Sequence, residues 1–156
     1  MTEQVSGGRI TRQGQGERFL FLGELVEVLV SEEATGGAYS LAEFTLSPGS
    51  GAPPHVHTNE DEIFNILEGE VEFHMEDAVL HAKEGDTVHA LRGHRHYFVN
   101  ATGRTARMQV GIVPGKFMNF FRSMGTPVGE TPPPPDIPGL VAEAGQYGCT
   151  IFAQES

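Results

Sequence analysis

Short apolar runs, broken at close intervals by turn-forming residues, constrain this chain more than any other feature. Gly36-Gly37, Ser47-Pro48-Gly49, Glu68-Gly69-Glu70, Gly85-Asp86 and Arg92-Gly93 each end a run with backbone freedom or a fixed φ. Between them the side chains alternate with a period of two. Glu62, Phe64 and Ile66 share one face of residues 62–67, and Ile63, Asn65 and Leu67 share the other. Val71, Phe73 and Met75 likewise alternate with Glu72, His74 and Glu76. Further strands are expected at 19–30, 39–46, 79–82, 87–91, 96–99 and 106–113. Evenly spaced short strands predict an all-β fold, a barrel or a two-sheet jelly roll.

The C-terminal part reads differently. Phe117, Phe120, Phe121 and Met124 sit at i, i+3, i+4 and i+7, a helical stripe that ends at Gly125 and is expected to pack on the outside of the barrel. Residues 131–138 are proline-rich and extended, and 140–147 form a second short helix stopped by Gly148. Three regions follow. Residues 1–16 are a flexible lead-in, 17–115 the barrel, and 116–156 a helical and proline-rich extension that packs on it.

Charge and cysteine content narrow the function. The 156 residues carry 10 Lys+Arg against 21 Asp+Glu, a net charge of −11. That balance argues against a nucleic-acid partner, which needs a basic face, and against a polybasic membrane surface. One cysteine, Cys149, leaves no internal disulfide framework and no multi-cysteine zinc site. The first eighteen residues are polar and glycine-rich, without the pattern of a signal peptide, and a cytoplasmic location is expected. The most apolar stretch, 19–30, is interrupted by Glu24 and Glu27 and is too short to span a bilayer.

Four residues carry candidate chemistry: His55, His57, Glu62 and His96. On an extended segment, side chains two apart point the same way, so both imidazoles of His55-Val56-His57 share a face. Four residues separate His57 from Glu62, enough for the chain to turn and return a carboxylate. His96 comes from a later strand. Imidazoles and a carboxylate from separate segments suit a divalent first-row metal and leave coordination positions open. Taken alone, a His-x-His pair is equally readable as surface polar residues.

The glycine scaffolding around these residues resembles the cupin superfamily. Gly49, five residues, His55-Val56-His57, four residues, Glu62, six residues and Gly69 reproduce the first cupin motif in full. Gly85, five residues, Leu91-Arg92-Gly93, two residues, His96, three residues and Asn100 match the second, with Leu91 where the motif has proline. The resemblance implies a single double-stranded β-helix, or jelly-roll, barrel with short C-terminal helices. It implies that His55, His57, Glu62 and His96 converge inside on one divalent transition metal: Fe, Mn, Ni, Co, Cu or Zn. The motif spacing selects His96 over His94 and Glu62 over Glu60 and Asp61, which are expected to be solvated loop charges. His74, His81 and His89 are expected to be surface or structural residues.

Phe64 shares the face of Glu62, and Phe98 that of His96. With Phe73 and Met75 they are the candidate substrate-binding residues. Apolar walls beside a metal suit a small organic substrate, aromatic ones included. Within the superfamily, Pro53-Pro54-His55-Val56-His57 with Glu60-Asp61-Glu62, and the phenylalanine-rich C-terminal helix, look most like small quercetin-dioxygenase-like cupins. That likeness implies a dioxygenase in which Glu62 is both ligand and general base. A non-redox metal-dependent isomerase, cyclase, lyase or decarboxylase, or a non-catalytic metal or small-ligand binding module, would use the same residues. Cupins commonly cover their strand edges by pairing, so a homodimer is expected.

Overall fold

The computed structural model describes residues 2–152. Residue 1 and residues 153–156, the outer ends of the expected lead-in and extension, lie outside the described residues. Fourteen strands and two α-helices follow in chain order among the described residues. The first half holds β1 (Thr2–Val5), β2 (Gly8–Thr11), β3 (Glu17–Phe21), β4 (Glu24–Val30), β5 (Ser40–Leu46), β6 (His55–His57) and β7 (Asp61–Glu68). The second half holds β8 (Glu70–His74), β9 (Val79–Lys83), β10 (Thr87–Ala90), β11 (Tyr97–Val99) and β12 (Ala106–Val113). It ends with α1 (Met118–Met124), β13 (Thr126–Pro127), α2 (Ile137–Gln146) and β14 (Cys149–Ile151).

The strands make an antiparallel jelly roll. A seven-stranded sheet runs in the order β10-β7-β12-β5-β4-β3-β13, and a three-stranded sheet in the order β11-β8-β9. The period-two reading of the sequence holds here. In β5 and β12 every second side chain is buried, and in β7 Glu62, Phe64 and Ile66 point inward while Ile63 is exposed. The inner faces of both sheets contribute to one core, with Phe44, Phe64, Phe73 and Met108 among its fully buried side chains. No helix among the described residues is long and apolar enough to cross a membrane.

Three expectations need correction. Residues 2–11 of the lead-in form the β1–β2 hairpin, with Thr2 opposite Thr11 and Val5 opposite Gly8. The lead-in is tied down because the Glu27 carboxylate accepts from the backbone N–H of Gly14 and of Gly16, at 3.2 and 3.1 Å. The single strand expected at 19–30 is two strands. Leu22 and Gly23 both take positive φ, 48° and 81°, and turn the chain into a tight hairpin. Leucine at the first of these positions gives no turn signal in the sequence.

The third correction concerns the C-terminal helix stripe, which does not sit outside the barrel. Phe121 packs edge-on against Phe44 at 5.4 Å, and Phe117 against His57 at 4.5 Å. The stripe therefore closes one end of the barrel interior. The second helix starts at Ile137, three residues earlier than expected, because Asp136 caps it by accepting from the Gly139 N–H at 3.0 Å.

Candidate metal centre

Two strand pairings assemble the site. Strand β6 carries His55 and His57, and it pairs with β14, so that Cys149 faces His57 and Ile151 faces His55. On its other side, His55 N–H donates to His96 C=O and His96 N–H donates to His55 C=O, each at 3.0 Å. The turn before His96 needs Gly93, whose φ is 80° and whose N–H donates to His57 C=O at 2.7 Å. Leu91, the departure from the second motif, is half exposed in that turn and touches none of this. Gly51 forms a bridge to Val99 so closely that a β-carbon there would lie 2.2 Å from the Phe98 carbonyl oxygen.

All four predicted residues are buried and meet at one oxygen. Glu62 Oε1 lies 3.1 Å from His57 Nε2, 3.1 Å from His96 Nε2 and 3.7 Å from His55 Nε2. His55, Glu62 and His96 offer ligand atoms that all lie within 4.8 Å of one another. His57 reaches the group through Glu62 and stands slightly apart, with its ring 6.1 Å from that of His96. The outer ring nitrogens set the tautomers. His55 Nδ1–H donates to the Pro53 carbonyl at 2.8 Å and His96 Nδ1–H to the His94 carbonyl at 3.4 Å. A carbonyl only accepts, so in the neutral rings each Nε2 lone pair faces the centre.

Charge follows the same geometry. Burial holds the His55 pKa below its ordinary value, which keeps that ring neutral. Burial also works against charge on His57. The Glu62 carboxylate, with the Cys149 thiol beside the ring, outweighs it, and the His57 pKa is pushed up to about 11. Burial opposes ionisation of Glu62, yet the charge on His57 and the close approach of all three imidazoles hold its carboxyl well below the usual range. The cluster thus favours positive charge at its centre, whether that charge is a proton on His57 or a metal ion. Three nitrogens and one carboxylate oxygen are a fitting donor set for a divalent transition metal, which would take the proton's place.

A narrow cavity opens beside the cluster. Its lining includes His55, His57 and Glu62, together with Phe64 and Phe98 as expected. Phe73 and Met75 do not line it. Phe73 is fully buried and packs on Phe64 and Phe98, at ring distances of 4.9 and 6.0 Å, so these two rings stand between it and the cavity. Met75 lies past the end of β8, where its N–H enters a turn with the Ala78 carbonyl, and it packs against the core. The cavity instead gains Phe117, Phe120, Phe121 and Cys149 from the C-terminal segment, and Glu24 from β4. The i, i+3, i+4 spacing of the phenylalanines was the available signal for three of these.

Glu60 and Asp61 are not solvated loop charges. Glu60 is buried, its Oε1 stands 4.0 Å from His57 Nδ1, and burial raises its pKa. Asp61 accepts from Arg92 Nε at 2.9 Å and from His89 Nε2 at 3.0 Å, which joins β7 to the turn after β10. His74 is half-buried and stacks on Tyr97 at 4.3 Å, whereas His81, His89 and His94 are exposed.

The comparisons with known proteins agree with this geometry. A family model described as the cupin domain matches residues 42–113. A Thermotoga maritima protein named oxalate-binding protein is 35% identical over 106 residues, covering 67% of this chain and 83% of that protein. Quercetin 2,3-dioxygenase of Bacillus subtilis is 25% identical over 152 residues, covering 94% of this chain. The chain spans only 45% of that enzyme's length. A Thermotoga maritima crystal structure described as a predicted oxalate decarboxylase superposes with a TM-score of 0.63 at 25% identity, covering 67% of this chain and 98% of that one. Fold, spaced motifs and relatives meet in one conclusion: the chain belongs to the cupin superfamily.

Proposed function

We propose that this chain holds one divalent transition metal through His55, His57, Glu62 and His96, and acts as a dioxygenase on a small oxygenated organic molecule. The observation that carries the reading is the convergence of three imidazole Nε2 atoms on Glu62 Oε1 at the wall of an apolar cavity. A bound ion supplies Lewis acidity and open coordination positions. The chain's own residues do the rest. Phe64, Phe98 and Phe117 hold an apolar ring and exclude water. The Pro53 and His94 carbonyls fix the imidazoles of His55 and His96. Glu62 stays ionised through the neutral range, so one of its oxygens is an acceptor for the proton of a substrate hydroxyl.

Similarity to quercetin 2,3-dioxygenase over most of this chain supports oxygen chemistry. Similarity to an oxalate-binding protein supports a second reading, a non-redox metal enzyme or a binder of small acids. The apolar lining beside the cluster suits an aromatic ring better than a small polar acid. Oxygen uptake with a panel of flavonols and catechols, in air and under nitrogen, separates the two. The proposal expects turnover only with oxygen, and loss of about 100-fold or more in Glu62→Gln with at least part of the metal retained. Turnover under nitrogen would transfer the site to non-redox chemistry, and full turnover in Glu62→Gln would remove the base role.

A further inference from the structure

We propose that Glu24 is a second polar anchor in this cavity, hydrogen-bonding an oxygen at the end of an elongated aromatic ligand remote from the histidine cluster. The inference rests on the reading of the cavity as the substrate site. Glu24 opens β4, points inward with 1% of its surface exposed, and lines the same cavity as His55, His57 and Glu62. Its Oε1 has no hydrogen-bond partner among the described residues.

The position is not explained by packing. Glu27 and Glu32, also buried, are satisfied by backbone N–H groups and by Arg122 respectively. Glu24 shares the cavity lining with Phe21, Leu22, Phe44 and Leu140, and among the described residues no Lys or Arg lines it. Leucine or methionine would fill the place without the desolvation cost of an unpaired polar atom. Burial pushes the carboxyl well above its usual range, which favours the protonated acid, a group with one donor and spare acceptor capacity.

Strand register sets the length of the ligand. Glu62 pairs through Ile112 to Ser40, at one end of β5, whereas Glu24 pairs with Leu46 at the other end. The two carboxyls occupy diagonal corners of the inner face, three strand steps apart in the sheet order. A ligand that touches both must be elongated and carry an oxygen at each end. It must also be uncharged at the Glu24 end. The cavity itself encloses about 40 Å³, and Leu22 and Leu140 part it from neighbouring hollows of about 590 and 540 Å³. A ligand of this size requires these two side chains to move aside, and the proposal includes that movement.

Two probes that differ only in one hydroxyl at the far end, 3,4′-dihydroxyflavone and 3-hydroxyflavone, test this by calorimetric titration of the zinc-loaded full chain. The wild type is expected to prefer the dihydroxy compound by about tenfold or more, the size of one hydrogen bond to a buried polar group. Glu24→Leu should erase the preference while zinc content is unchanged and the melting temperature is equal or higher. Glu24→Met checks that result, and Glu24→Gln should keep the preference within about threefold. Equal affinity of the wild type for both probes, no measurable binding of either, or a preference that survives in Glu24→Leu would overturn the proposal. Failure of the metal site alone shows as absent zinc and equally weakened probes, with their ratio intact.

Discussion

Asp61 shows how a single side chain can fix the geometry of the site without entering it. It accepts from the Arg92 N–H and Nε and from His89, and so fastens the start of β7, one residue before Glu62, to the turn that leads to His96. The hydrogen bonds from Arg92, then from His89, hold the Asp61 carboxyl far below its usual range. A depressed folded-state pKa adds stability that is complete above the unfolded value, about 3.9, and is lost as pH falls through the folded one. Asp61→Asn should therefore melt lower than the wild type at pH 7, by about 1 kcal/mol or less because Arg92 is half exposed, and the gap should begin to narrow below about pH 4. Thermal melts of both proteins across that range check it. At this scale the four converging residues were legible, because glycine spacing tied them to particular turns. Glu24 and Glu60 were not, since nothing adjacent in sequence distinguishes a buried acid from a solvated one. Glu24, for one, lines the cavity together with Leu140 and Cys149, which lie far along the chain.

At the scale of elements, the strand that carries two of the four residues is held from the C-terminus. Beside its bridge to His96, β6 forms its ladder with β14, extended by the Thr58 N–H to the Gly148 carbonyl and the Phe152 N–H to the Pro54 carbonyl, both at 2.9 Å. Arg95 packs over the Phe152 ring at 4.2 Å and ties the same segment to the turn before His96. Thr150 stands opposite Val56, between the two histidines. Proline there cannot donate to the ladder, so Thr150→Pro should weaken zinc binding by about tenfold or more, although residue 150 touches no ligand atom. Competition with a chromogenic chelator measures it, and unchanged affinity would contradict this role for β14. The barrel strands were legible from alternation and turns. Strand β14 was not, because three residues after a helix offer no period to read. The outward placement of the Phe117 stripe failed for a related reason: an apolar helix face shows that it is buried, but not against what.

The whole molecule is a jelly roll whose C-terminal extension is part of the site. The two sheets supply the apolar interior, β6, β7 and the turn before β11 bring His55, His57, Glu62 and His96 to one point, and α1, α2 and β14 close the interior around them. Fold class was readable in the sequence because the strands are short, regularly interrupted and carry two long spaced motifs. The closure depends on contacts between residues up to about a hundred positions apart, such as Phe21 with Phe121. The central claim is that this closed interior binds one divalent transition metal. Elemental analysis of full-length protein, purified without a metal-affinity tag and reconstituted with Fe, Mn, Ni, Co, Cu or Zn, measures it directly beside His96→Ala. The account predicts close to one ion per chain in the wild type and a loss of about tenfold or more of the affinity in His96→Ala, with the fold retained by circular dichroism. A wild type that takes up no ion, or a His96→Ala protein that binds as tightly as the wild type, would contradict it.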